Sequence, residues 1–182
     1  ALQLFFIARI ALMAHVNPQS TSFQRSEAWR IVQDKGQLRW RQQWVDYAQI
    51  SDHLKRAVIA SEDDSFAWHE GVDWDALEKA WQKNAEAEAR AAKLAANSAR
   101  PVKPPKIVGG STITQQLAKN LLLSGERTLL RKGQELMLAY VLEKTLSKQR
   151  ILELYLNHVE WGEGVFGAEA AAQHYYRKPA AR

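Results

Sequence analysis

Gly109-Gly110-Ser111-Thr112-Ile113-Thr114-Gln115-Gln116-Leu117-Ala118-Lys119-Asn120 decides how the chain is read. Two glycines supply a permissive turn, and a hydroxyl residue follows where a helix N-cap sits. Thr112 with Gln115 three positions later fits a capping box, so the spacing predicts a helix starting here. Ile113, Leu117 and Leu121 form one apolar stripe at four-residue steps. Thr112, Gln116, Lys119 and Asn120 form a polar stripe beside it, at i, i+4, i+7 and i+8. One face packs on a core, while the next offers a cation, amides and a hydroxyl at a helix start, where anions are favoured. The competing reading is an amphipathic helix whose polar side is merely solvated, which is the common case.

Upstream, a helix is expected from Ser51 or Asp52 as cap. Leu54, Ala57, Val58, Ser61 and Glu62 follow at i, i+3, i+4, i+7 and i+8, so Glu62 is expected to continue the buried stripe. A carboxylate there is partly desolvated, which raises its pKa and suits it to accept a proton near neutral pH. Asp63 and Asp64 extend the acidic cluster, and Phe66, His69 and Gly71 close the segment. A solvated acidic helix end is one alternative. A calcium loop is another, although the regular ligand spacing of such loops is missing. Residues 82–106 read as an exposed Ala/Glu/Lys/Arg helix running into a mobile linker with Pro101, Pro104 and Pro105.

Downstream, Ser124-Gly125-Glu126 make a turn, and Arg127, Arg131 and Glu135 fall at four-residue steps on one helix, with Lys132 adjacent. Leu138 and Leu142 continue that line into the core, drifting about 40° per step. Such a run is commonly an exposed salt-bridge ladder. Here the carboxylate meets the apolar run Leu136-Met137-Leu138-Ala139, which places it at the edge of a core. Ser147 caps a further helix through Asn157, residues 161–167 read as a tight turn, and Ala168–Tyr176 is helical by composition. Strand signals are few, Val45-Asp46-Tyr47 being one candidate.

The N-terminal residues 2–16 are apolar apart from Arg9, shorter than the roughly 20 residues a spanning helix needs. They read either as the outer end of a membrane helix or interfacial segment, or as an ordinary buried helix. Residues 23–50 mix Arg, Gln and Trp in a pattern that suits single-stranded nucleic acid but more often reflects packing, with no recognition signature beside it. Twenty-five Lys and Arg against 20 Asp and Glu give a net charge of +5, which favours an anionic partner. The absence of cysteine removes thiol catalysis and thiolate metal sites.

Together these pieces give two carboxylates on separate helices at apolar borders, Glu62 and Glu135, and a group of cations, Lys119, Arg127, Arg131 and Lys132. Paired carboxylates in different surroundings suit acid–base work at a glycosidic centre. Hydrolysis alone does not need four cations, whereas a diphosphate leaving group gathers negative charge as the sugar bond breaks. The residues therefore lean toward transfer from a sugar diphosphate.

Four segments carry a more specific resemblance. Glu62-Asp63-Asp64-Ser65-Phe66 with His69 and Gly71, the Gly109–Asn120 stretch, and Arg127-Thr128 with Arg131-Lys132 and Glu135 look like the first three motifs of the peptidoglycan glycosyltransferases. Ser147-Lys148 with Arg150-Ile151-Leu152-Glu153 and Tyr155-Leu156-Asn157 resembles the fourth. All stand in the family's order over roughly residues 50–180. The resemblance implies a mainly α, lysozyme-like domain of two lobes with a cleft between them, over residues 17–182, with residues 1–16 as the membrane-associated end of an anchor helix. It implies polymerisation of lipid II with inversion and release of undecaprenyl diphosphate, on the outer side of the bacterial cytoplasmic membrane, the protein being held by a single pass. Lipid II, the growing glycan and the membrane are the implied partners, with other cell-wall synthesis proteins as further ones and nucleic acid excluded.

By motif position Glu62 is the general base and Glu135 assists the departing diphosphate, either by orienting Arg131 or through a divalent cation, Mg2+ or Mn2+. Lys119, Arg127, Arg131 and Lys132 hold the diphosphate. Ser111, Thr112, Gln116 and Asn120 line the donor side, and Asp63, Phe66 and His69 shape the cleft near the base. Three departures stand out: Gln134 where some relatives carry Lys, a long connector at 82–106, and a final helical portion of the family that is missing after Arg182. The rivals are a glycan-cleaving enzyme of the same fold, which would leave the cations idle, and a noncatalytic membrane- or wall-binding module.

Overall fold

The computed structural model describes residues 2–96, 103–123 and 128–182. The described residues are mainly helical: α1 (Leu2–Leu12), α2 (Ser22–Lys35), α3 (Asp52–Glu62), α4 (Trp74–Ala96), α5 (Ile113–Leu122), α6 (Leu129–Thr145), α7 (Lys148–His158) and α8 (Ala168–Tyr176). Three very short strands accompany them, β1 (Arg41–Gln42), β2 (Glu160–Gly162) and β3 (Val165–Phe166). They form one sheet in the order β1-β3-β2, parallel between β1 and β3 and antiparallel between β2 and β3. The expected strand at Val45–Tyr47 is instead a single 3-10 turn at Tyr47–Gln49. Asn157 makes strand pairing unnecessary there, since its side chain both accepts from Val45 N–H and donates to Val45 C=O. The expected tight turn at 161–167 is the β2–β3 hairpin.

The chain divides into two compact units. The larger comprises Ala1–Val72 and Thr112–Arg182, and the smaller Asp73–Ser111. In the larger unit α5 is the central rod, packed on α2, α6 and α7. The capping box forms as expected: Thr112 accepts from Gln115 N–H while the Gln115 side chain accepts from Thr112 N–H. Ile113, Leu117 and Leu121 are fully buried, as the stripe requires. The polar stripe is solvated only in part: Thr112 and Asn120 are buried, Gln116 is half-buried and Lys119 is exposed. α6 is capped by Thr128 and α7 by Ser147, each hydroxyl accepting from the N–H three residues on. Helix α1 buries Phe6, Ile10 and Met13 at i, i+4 and i+7, packs on α6, and leaves Leu4, Phe5, Ile7 and Leu12 exposed. Arg150 ties the segment after it to α7, donating to Met13 C=O and Asn17 Oδ1 and pairing with Glu153. Among the described residues no helix is long and apolar enough to cross a membrane.

In the smaller unit α4 begins at Trp74, earlier than the composition change at residue 82, with Asp73 accepting from Ala76 N–H. The Asn84 side chain pairs with both backbone groups of Val108. Neither Gly109 nor Gly110 takes a left-handed φ. Gly110 answers a steric need instead, since a Cβ there would lie 3.0 Å from Leu77 Cα.

Candidate active site

Helix α3 ends at Glu62, and the backbone at Asp63 leaves the helix with φ −167° and ψ 75°. That exit exchanges the fates of two neighbouring carboxylates. Glu62 is exposed, so it does not continue the buried stripe. Lys55 and Val58 are the residues α3 buries. Asp63 is the buried one, turned beneath the start of α5. Its Oδ2 accepts from Ile113 N–H at 2.9 Å, one of the free donors of the α5 N-terminus, and from His69 Nε2 at 2.9 Å. His69 Nδ1 accepts from Gly71 N–H at 3.0 Å, which fixes the tautomer with the hydrogen on Nε2. Gly71, at φ 91°, sits against the Ala139 backbone, and its carbonyl accepts from Thr112 Oγ1 at 2.6 Å. The loop after Glu62 is thus tied to the capping box of α5 by side chains whose donors and acceptors are already engaged.

A second network braces the same junction. Glu143 is nearly fully buried; its Oε1 accepts from Thr114 Oγ1 at 2.6 Å and from Lys148 Nζ at 2.8 Å. Lys148 also donates to His69 C=O at 2.6 Å and lies 4.6 Å from the centre of the Phe66 ring, a cation–π contact. The sequence reading gave no role to Thr114, Glu143 or Lys148. The signal for Lys148 was present, since it stands in the fourth motif, but its partner across the fold cannot be read from spacing.

Held at this junction, Glu62 reaches α5 directly: Gln116 Nε2 donates to its Oε2 at 3.1 Å, and Gln116 Oε1 accepts from the Tyr155 hydroxyl at 3.0 Å. Lys119, three residues beyond Gln116 and so its neighbour on the α5 surface, is exposed. The acidic group of α3 and the amine of α5 therefore share one helix face.

The second carboxylate lies further along. Glu135 is 3% exposed, with Lys132 Nζ 2.5 Å from its Oε1 and Arg131 Nη1 3.7 Å from its Oε2. The Thr114–Glu143 bond ties the first turn of α5 to the C-terminal part of α6, and the two helices pack on one another. Arg131 Nε and Nη1 are buried and find no hydrogen-bond partner among the described residues. Donors in that state are costly unless an acceptor arrives.

The described residues thus offer an exposed carboxylate at Glu62, an exposed amine at Lys119 and, on α6, guanidinium donors of Arg131 without a hydrogen-bond partner among the described residues. A family model described as Transglycosylase matches residues 30–182. The chain belongs to the transglycosylase family. It is similar to the "Biosynthetic peptidoglycan transglycosylase" of Burkholderia orbicola (strain MC0-3), 53% identical over 182 residues, covering 100% of this chain and 68% of that protein. The protein of the same name from Herminiimonas arsenicoxydans is 53% identical over 183 residues, covering 100% of this chain and 71% of that protein. The mainly α, lysozyme-like class expected of the chain is that of the transglycosylases, and the activity is that of a peptidoglycan glycosyltransferase.

Within this transglycosylase domain the expected site residues fall into groups. Glu62, Gln116 and Lys119 share one face. Arg131, Lys132 and Glu135 cluster on the first turns of α6. Asn120, Asp63, Phe66, His69 and Thr112 are buried or nearly so. Ser111 belongs to the smaller unit, and Arg127 lies outside the described residues. The surroundings of Glu135 do not fit a protein-held divalent cation. Two cationic side chains already sit against that carboxylate, and the described residues hold no group of three His, Cys, Asp or Glu able to ligate a metal.

Proposed function

We propose that this transglycosylase domain polymerises lipid II, with inversion at the donor anomeric carbon and release of undecaprenyl diphosphate. The observation that carries the reading is the hydrogen bond from Gln116 to Glu62, which holds an acidic group on the face of α5 that also carries Lys119. In the reaction the acceptor's 4-hydroxyl oxygen forms a bond to the donor anomeric carbon, and its proton passes to Glu62. The bond from that carbon to the diphosphate oxygen breaks, and its electron pair leaves with the lipid diphosphate. Lys119 and Arg131 meet the growing charge, joined by Lys132 and Arg127. Glu135 acts by holding Arg131 and Lys132 in place. No step runs through a metal, so a stimulation by Mg2+ or Mn2+ would come through the diphosphate of the substrate.

Asp63, Phe66, His69 and Thr112 act by positioning rather than by touching substrate, because their polar groups are already engaged within the protein or, for Phe66, packed in the core. Gln116 and Asn120 belong to the donor side. Residues 1–16 lie at the membrane, with the exposed apolar face of α1 toward lipid, on the outer side of the cytoplasmic membrane. The test supplies lipid II to the full-length protein, with and without Mg2+, and follows polymer and lipid diphosphate. Polymer is expected in both cases, and Lys119→Ala is expected to weaken donor binding about tenfold or more. A Lys119→Ala protein of normal donor affinity removes that contact, and shortened wall glycan in place of polymer overturns the reading.

A further inference from the structure

The Gln116 amide is held at both ends by groups from two other helices, Glu62 at the end of α3 and Tyr155 in the middle of α7. The two ends of an amide are not equivalent. An ionised carboxylate accepts only from the NH2 end, whereas a phenol hydroxyl either donates or accepts. With the NH2 end on Glu62, the carbonyl end is left for Tyr155, and only a phenol that keeps its hydrogen satisfies it. Tyr155 is 3% exposed. Burial first, then the negative charges of Glu62 and Asp63, hold its phenol protonated well above the ordinary tyrosine range. The hydroxyl thus keeps its hydrogen, which it donates to the Gln116 carbonyl oxygen at 3.0 Å.

We propose that Tyr155 is a positioning residue for glycosyl transfer: its hydroxyl fixes the Gln116 amide so that the NH2 end, not the carbonyl, faces the Glu62 carboxylate. This rests on the reading of Glu62 as the base. Amide torsions are broad and nearly two-fold, so without the hydroxyl nothing holds the orientation from the α7 side. Part of the population then turns a carbonyl oxygen toward the carboxylate, and an oxygen facing an oxygen favours the protonated, nonfunctional base. The other charged or titratable groups to be counted are Asp63 and Asp64, which follow Glu62 in the chain, Lys119, three residues beyond its partner Gln116 on α5, and Tyr155 on α7. Replacing Tyr155 by Phe leaves the first three unchanged, so a change in pH dependence reports the amide.

The experiment measures polymerisation of lipid II by the full-length protein across the pH range, for the wild type, Tyr155→Phe and Glu62→Gln. Tyr155→Phe is expected to move the acid limb of kcat upward by about half to one pH unit. The rate near pH 6 then falls about three- to tenfold, while the alkaline plateau and the KM for lipid II stay within about twofold. A folded Tyr155→Phe protein with an unmoved acid limb, beside an inactive Glu62→Gln, overturns the role of Tyr155 and leaves the base in place. A uniform loss at every pH with a lowered melting temperature overturns it too, as the mark of a purely structural contact. An active Glu62→Gln overturns the base and this inference together. If Tyr155→Phe does not fold, Gln116→Met removes the same donor at similar length, and an acid limb unmoved in that variant overturns the proposal.

Discussion

The junction between α3 and α5 and the first turns of α6 carry the two carboxylates in opposite ways. At the junction every partner is matched: Asp63 takes an N–H from Ile113 and one from His69, His69 takes one from Gly71, and Thr112 donates back to Gly71. At α6 two cationic side chains, Arg131 and Lys132, sit against Glu135, and Arg131 Nε and Nη1 make no hydrogen bond among the described residues. The closed region holds position through donors and acceptors that are engaged with one another. The donor-rich region is suited to an anion that comes and goes. Glu62 stands at the exposed rim of the first, bonded to Gln116 of α5.

Substitutions at the closed region should therefore cost stability, and those at the open one activity. Asp63→Ala strands a buried backbone N–H and the His69 N–H together, and should lower stability by about 3–4 kcal/mol, read by chemical or thermal unfolding. A loss below about 1 kcal/mol would mean that the junction is not closed.

The closed framework reaches the end of α7, where His158 is buried. Burial first, then the charge of Arg150, lowers its pKa to about 4. Its ordinary value is near 6.5, so the unfolded chain binds the proton more tightly. Its contribution is complete above about pH 6.5 and is lost as the pH falls toward 4, about 3 kcal/mol in all. Unfolding titrations over that window should show this slope, and His158→Gln should flatten it.

Arg131→Ala tests the open region. It should reduce kcat/KM for lipid II about 100-fold, worth about 2–3 kcal/mol of transition-state stabilisation, with the melting temperature within about 2 °C of wild type. A melting temperature that drops as far as that of Asp63→Ala would erase the contrast between the two regions.

Much of this architecture was legible from spacing. The α5 stripe, its capping box, the Ser147 cap and the span of α8 all follow from local periodicity and capping chemistry, which act within one or two turns. The exposure of Glu62 was not legible. Helical extrapolation placed it on the buried stripe, but the helix ends at that residue, and the turn at Asp63 sends the next carboxylate inward instead. Tyr155, Glu143 and Lys148 also escaped assignment, because their partners are Gln116, Thr114 and the His69 carbonyl. Those contacts exist only once α5, α6 and α7 are packed. Spacing along one helix shows which residues share a face, not what that face meets.

The most direct measurement pairs binding with turnover in the full-length Glu62→Gln protein. In the proposed reaction Glu62 takes a proton and does not hold the diphosphate. Affinity for lipid II should therefore stay within a few-fold of wild type, while polymerisation falls by at least about 100-fold. A Glu62→Gln protein that makes glycan strands at the wild-type rate would contradict the account.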